Sequence, residues 1–393
     1  MKKKVILLFT LLTYLLSECN TKNSSYSAAP AGKTNVESVT INLVSVGDML
    51  MHRGASVPAS CGDGVFNYDY IFSNVKEAIS LADLAIANNE VIMAGNELGK
   101  FGDGNIGYPC FNVRTEFGDA EVKAGFDVIL GAGNHSMDQD VSGILNTVNY
   151  WKTEHPEISL LGLHDSAESA SDITIRNVNG IKIAMLNYTY GLNGFKLPQE
   201  YVYAVDLMNQ YTKAKISDDI RRAKKLADFV IIFPHWGTEY SFEENKEQQE
   251  WADFFAEEGV DLVIGTHPHV IQPVKWITAS NGHRMLVYYS LGNFISIQYY
   301  NYSMLGGMAN VKITKDSAGT YISSYDIDFL VTHFVPGRTT VTTYFLDDYN
   351  DELASRHGIL TEPAENFMRI NRDYPFTKNG MKELAKKICP DLV

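Results

Sequence analysis

The sequence predicts an α/β fold, and three observations carry that prediction. Six apolar runs of β-strand type each end in a small polar cluster. Amphipathic stretches of helical period lie between several of those runs. Strand, polar loop, helix and strand in alternation is the pattern of an α/β domain. The third observation is position: in such folds ligands gather beyond the carboxyl ends of the strands, and all six polar clusters fall there.

In chain order, the first run is Ile41 to Val46, followed by Gly47-Asp48. Leu84 to Ala87 leads into Asn88-Asn89-Glu90, and Phe126 to Leu130 leads toward Gly133-Asn134-His135. Val230 to Phe233 precedes His235-Trp236-Gly237, and Val260 to Ile264 precedes His267-Pro268-His269. Met285 to Tyr289 ends in Ser290-Leu291-Gly292-Asn293. Runs this continuously apolar imply burial on both faces. The spacing predicts helices over 71–81, 216–227 and 243–258. The last begins in carboxylates, sets Trp251 and Phe255 four residues apart, and is stopped by Gly259. Residues 305–346 change to alternation of period two, with Asp316 to Gly319 as a turn, and read as antiparallel strands finishing the same domain. One domain over 40–346 is expected, then a polar extension over 347–393 with one weak helix, Thr377 to Ile388.

The N-terminus reads as an address rather than as part of that domain. Lys2-Lys3-Lys4 precedes a 12-residue apolar run, Val5 to Leu16. A bilayer span needs about 20 residues, so the run fits the apolar segment of an export signal instead. It ends in Leu16-Ser17-Glu18-Cys19, which resembles a bacterial lipobox in which Cys19 would be lipidated; simple secretion is the alternative. Residues 1–19 are the signal-like segment, and residues 20–39 read as a flexible tether holding the domain off a membrane. Beyond Cys19 only Cys61, Cys110 and Cys389 remain, with no CxxC and no zinc-type Cys/His spacing. Cys61 and Cys110 could form a disulfide in an oxidising compartment or stay as two thiols; both readings are open.

Composition narrows the function. Of 393 residues, 45% are apolar and 20% charged, which is a globular balance. The net charge is −14 and the basic residues are dispersed, so a phosphate-backbone grip is excluded and no nucleic-acid partner is expected.

The chemistry lies in the clusters taken together. Asp48, Glu90, Asn134, His135, His235, His267 and His269 combine carboxylate, amide oxygen and imidazole, a donor set suited to Mn, Fe or Zn rather than calcium. Imidazoles at i and i+2 on an extended segment face one side. A bridging carboxylate with several histidines is a usual way to hold two metals about 3.5–4 Å apart. Each histidine alone reads as a satisfied loop residue; six clusters at one edge do not.

Seven ordered blocks resemble the signature of the CapA-type capsule-synthesis family. They are Val46-Gly47-Asp48-Met49-Leu50-Met51-His52-Arg53, Ala87-Asn88-Asn89-Glu90, Tyr108-Pro109-Cys110-Phe111-Asn112, Gly131 to Asp138, Pro234 to Tyr240, Gly265 to Gln272 and Tyr289 to Phe294. The resemblance spans about residues 41–300. It implies a calcineurin-like metallophosphoesterase fold, a sandwich of two mixed β-sheets flanked by helices, and a link to poly-γ-glutamate capsule synthesis, anchoring or release at the cell surface. By position, Asp48 resembles the first metal aspartate, and Glu90 a bridging or nearby carboxylate. Asn134 resembles a metal-binding amide, and His235, His267 and His269 the remaining ligands. His135 resembles an acid or phosphate-contacting imidazole. The wider superfamily has Asp-x-His in the first block; here Leu50 stands at the histidine place and His52 lies two further on, a second candidate catalytic imidazole. The superfamily's bridging Asp is replaced by Glu90, so one metal and a reshaped pair are both open.

Two functions are compatible with these residues. In the first, a divalent metal activates water against an anionic polymer, at a γ-glutamyl amide or a phosphoester, and His135 protonates the leaving group. In the second, the cleft binds or anchors polymer without turnover, as a scaffold for a membrane capsule synthase. An acidic protein needs local attraction for a polyanion, and Arg53, Arg114 and Asn293 are the candidate substrate-binding residues.

Overall fold

The computed structural model describes residues 38–52, 59–62, 65–95, 110–298, 300–337, 339–361 and 373–393. Sixteen strands are found among them. In chain order they are β1 (Val39–Met49), β2 (Ser60–Gly62), β3 (Val65–Phe66), β4 (Leu84–Asn89), β5 (Val128–Leu130), β6 (Ser159–Leu161), β7 (Thr174–Val178) and β8 (Ile181–Thr189). The rest are β9 (Phe229–His235), β10 (Leu262–Ile264), β11 (Val274–Thr278), β12 (Arg284–Tyr288), β13 (Asn293–Ile295), β14 (Leu305–Asp316), β15 (Gly319–Val335) and β16 (Thr339–Phe345).

Two mixed sheets hold nearly all of them, as expected. The first runs β16-β15-β14-β1-β4-β5-β6, with β13 pairing the end of β1. Its β1, β4, β5 and β6 are parallel, and β14, β15 and β16 are antiparallel. The second runs β11-β12-β10-β9-β8-β7, parallel at its centre and antiparallel at both edges. β9 shows why its run is continuously apolar: Phe229, Ile231 and Phe233 join the main core, whereas Val230 and Ile232 pack under helices on the other face.

Among the described residues eight helices pack on these sheets: α1 (Lys76–Ser80), α2 (Thr115–Ala124), α3 (Asp140–Glu154), α4 (Lys213–Leu226), α5 (Lys246–Glu258), α6 (Asp351–Ser355), α7 (Gly358–Thr361) and α8 (Lys378–Ile388). α5 begins three residues later than its carboxylates suggest. Asn245 forms a capping box with Gln248, and Gly259 ends the helix at φ 84°. The helix expected over 71–81 is broken into a 3₁₀ turn (Asp69–Phe72) and α1. Its apolar spacing is real, since Ile71, Phe72, Val75 and Ile79 are buried. Between the two pieces Ser73 Oγ donates to Tyr70 O and Asn74 Nδ2 donates to Thr343 O, drawing both side chains into turn bonds in place of a regular helix.

The C-terminal extension is less separate than its polarity suggests. Tyr349, Ala354, Ile359, Phe376, Met381, Leu384 and Ile388 all belong to the main core. Cys61, Cys110 and Cys389 are unpaired thiols, so the disulfide reading is not what the structure has. Among the described residues no helix is long and apolar enough to cross a membrane. Residues 1–19, Cys19 and most of the tether lie outside the described residues.

Candidate metal centre

The site forms where β1, β4, β9 and β10 end. β1 and β13 approach so closely at Gly47 that a Cβ there would stand 1.9 Å from Gly292 O. The strand then delivers Asp48, which is wholly buried. Asp48 Oδ1 accepts from Asn88 Nδ2 at 2.9 Å and from the His267 backbone N–H at 3.0 Å, and its Oδ2 lies 3.0 Å from His269 Nδ1. β4 delivers Glu90. Its Oε1 lies 3.6 Å from His235 Nε2 and 4.0 Å from His267 Nδ1, and its Oε2 lies 3.7 Å from His269 Nδ1. His235 closes the ring, with Nε2 3.0 Å from Asn134 Oδ1 and Nδ1 3.0 Å from Thr266 Oγ1.

The electrostatics of this group are those of a cation site. Burial alone would raise the Glu90 pKa, but the charges of His269 and His235 outweigh it and hold the carboxyl down to about 2. Burial lowers the His269 pKa, and Glu90 and Asp48 reverse that, lifting it to about 9. His267 is pushed well below the usual imidazole value by burial and then by His235. The buried carboxylates thus draw positive charge toward this ring.

Whether a divalent metal fits can be judged from atoms left without partners. Both Glu90 oxygens and His267 Nδ1 are buried and have no hydrogen-bond partner among the described residues. Leaving a buried polar group unpaired costs about 1–3 kcal/mol, and more for a charged one. Two sets of donor atoms converge within 4.8 Å, one from Glu90, His267 and His269 and one from Asp48, Glu90 and His235. These nitrogen and carboxylate donors fit Mn, Fe or Zn. Two of these residues also have unusual backbone: His267 is at φ 98° and His269 at φ 59°. Strain of this kind persists where the surroundings over-determine it, and it clusters at functional sites.

The candidates from the sequence divide cleanly. Asp48, Glu90, Asn134, His235, His267 and His269 come together. His135 lies beside them: its Nδ1 is 2.7 Å from Asp138 Oδ2, which also accepts from Phe111 N. His52 is outside both converging donor sets. Its Nδ1 is 3.1 Å from Leu50 O, and Phe111 packs between it and His135, at ring distances of 5.2 and 4.6 Å. Leu50, at the expected histidine place, is buried.

The substrate-binding candidates take separate places. Asn293 is wholly buried, with its amide nitrogen donating to Gln298 Oε1 and Ser303 O, so it braces the sheet rather than meeting solvent. Arg114 lies over the Phe66 ring at 3.8 Å and 4.0 Å from Glu116, so its charge is engaged at the start of α2. Arg53 lies outside the described residues.

Other contributors emerge only in three dimensions. Asn193 Oδ1 accepts from Asn134 Nδ2 at 3.1 Å. The Tyr190 ring sits 4.7 Å from the His267 ring, and Tyr190 N donates to His235 O. Both follow β8, another apolar run that ends in a polar turn, and that pattern was their available signal.

The fold and the site define a two-sheet α/β protein with a buried histidine–carboxylate centre of metal-binding type. Residues 42–298 match the family model of the bacterial capsule synthesis protein PGA_cap, and the chain belongs to that family. It is 26% identical over 294 residues to the capsule biosynthesis protein CapA of Bacillus anthracis, covering 74% of this chain and 68% of that one. It is 29% identical over 197 residues to the PGA biosynthesis protein CapA of Bacillus subtilis (strain 168), covering 50% of this chain and 49% of that one. Among solved structures, a phosphatase from Mycoplasma pneumoniae is 15% identical with a TM-score of 0.47, over 75% of this chain and 95% of its own. The calcineurin-like phosphoesterase YfkN from Bacillus subtilis is 11% identical with a TM-score of 0.41, over 89% and 100%.

Proposed function

We propose that this protein is a divalent-metal-dependent hydrolase of an anionic capsule polymer, with poly-γ-glutamate as the substrate class, working at the cell surface. One observation carries the reading: a fully buried carboxylate, Glu90, with two unpartnered oxygens inside a ring of three imidazoles. Asp48, Glu90, Asn134, His235, His267 and His269 would hold the metal. When bound, it supplies Lewis acidity and a water of lowered pKa. Asn88 and the His267 N–H fix Asp48, and Thr266 orients His235. Asp138 bonds His135 Nδ1, which leaves Nε2 as the atom that hands a proton to the departing amine or alkoxide.

The test uses protein stripped with chelator, then given Mn²⁺, Fe²⁺ or Zn²⁺ with γ-linked polyglutamate. Chain shortening only with metal, and its loss in His269→Ala, is the expected result. Polymer bound at full length under every metal would instead favour the scaffold for a membrane capsule synthase. Surface anchoring through a lipidated Cys19 belongs to the same proposal; a Cys19→Ala chain that stays as firmly with membranes as the wild type removes it.

A further inference from the structure

The segment from His267 to Gln272 is held against the turn at 240–243 by two staples. Tyr240, itself at φ 61°, donates its N–H to Pro268 O at 2.8 Å. Gln272 Nε2 donates to Ser241 O at 2.9 Å and to Glu243 O at 3.0 Å. The Gln272 side chain is wholly buried, and its Oε1 accepts from Gln248 Nε2 at 2.8 Å. Gln248 is itself locked by the capping box with Asn245 at the start of α5. Gly237, at φ 100°, leaves room for that amide, since a Cβ there would stand 2.8 Å from it. The Gln272 backbone is also tied: its N–H donates to Ser290 O, and Cys389 Sγ, just past α8, donates to its carbonyl at 3.8 Å. One buried amide therefore joins the start of α5, the 241–243 turn and the metal-ligand segment.

We propose that Gln272 is a positioning residue for the His267–His269 pair. Its amide, oriented by Gln248, clamps the segment to the 241–243 turn and maintains the left-handed backbone that presents both imidazoles to Glu90. The clamp acts through the two histidines. This role rests on the reading of His267 and His269 as ligands but is independent of which bond is cleaved.

The test compares full-length wild type, Gln272→Leu, and the double variant Gln248→Leu/Gln272→Leu. Three quantities are measured: Mn²⁺ affinity by calorimetric titration, hydrogen exchange at the Tyr240 amide, and melting temperature. Gln272→Leu should weaken Mn²⁺ binding about ten- to hundred-fold, the range for partners that orient ligands. It should also speed exchange at Tyr240 while β1 and β4 stay protected. In the double variant the Gln248 amide no longer faces an apolar group, although Asn245 N also loses its acceptor, so part of the melting temperature should recover while Mn²⁺ affinity and Tyr240 protection stay low. A residue that serves only stability would restore all three together, and that result overturns the proposal. Unchanged Mn²⁺ affinity and unchanged Tyr240 exchange in folded Gln272→Leu do so as well. Exchange at Tyr240 reports on the clamp whether or not the wild type shortens polyglutamate, so the two proposals fail separately.

Discussion

Individual side chains here divide into those that face Glu90 and those that hold them in place. His269 and His235 approach Glu90 directly, whereas His135 is bonded to Asp138. His269→Ala and His235→Ala should therefore each lower bound metal and activity by well over tenfold, while His135→Ala keeps most metal and loses turnover. Chelated His269→Ala should melt somewhat below chelated wild type, because it loses the bond to Asp48, but added metal should raise the melting temperature of the wild type far more than that of the variant; full metal occupancy in His269→Ala would end the ligand assignment. Glu121, on α2, poses a different question. It is wholly buried, with Oε2 accepting from Asn89 Nδ2 and Oε1 unpartnered, and burial lifts its pKa to about 8 against the smaller pull of Asn89. In the unfolded chain it ionises near its ordinary value of about 4.3. Between those pH values the unfolded state binds fewer protons than the folded one, so stability falls as pH rises and levels off above about 8. Glu121→Gln should remove that fall, gaining on wild type by up to about 1.4 kcal/mol per pH unit across the window. Urea unfolding at pH 5 and pH 8 measures it, and parallel profiles for the two proteins would contradict it.

At the level of elements, the strand ends are made by close backbone approach. Gly265 follows β10, and a Cβ there would stand 2.1 Å from Tyr289 O and 2.4 Å from Trp236 Nε1, across the bond these two share. Backbone cannot step aside as a side-chain tip can. Gly265→Ala should destabilise by at least about 1–3 kcal/mol, the usual range for overpacking, and weaken metal binding by displacing His267. Gly191→Ala, where a Cβ meets nothing within 4 Å, is the control. Equal melting temperatures for the two variants would show that the approach is not needed. The glycines were visible in the sequence, but their strands' neighbours were not. The broken helix at 71–81 teaches the same lesson: its apolar face was legible, and the bond from Asn74 to Thr343, a partner 269 residues away, was not.

The whole molecule brings residues far apart in the sequence to one point. Asp48 bonds the backbone of His267, 219 residues later, and β14 to β16 extend the sheet that carries Asp48. The C-terminal extension closes this core through α8, where Leu384 is 2% exposed. Leu384→Ala should cost about 2–5 kcal/mol, as buried leucines generally do, read by urea unfolding; a loss under about 0.5 kcal/mol would mean that the extension does not share the core.

The sequence by itself determined the class of fold, the strand ends where its polar clusters fall, and the six candidate residues that the fold brings together. These are local properties: apolar runs, period, and residue type at each run's end. Only the tertiary structure decided which neighbours were excluded. His52, two residues past the expected place, is separated from His135 by Phe111; Asn293 pairs in register with Asp48 but gives its amide nitrogen to Gln298 and Ser303; Arg114 lies over Phe66. The polar-looking extension proved to carry core residues for the same reason. Burial and partnering are set by packing between distant segments, and residue type alone does not encode which partner arrives.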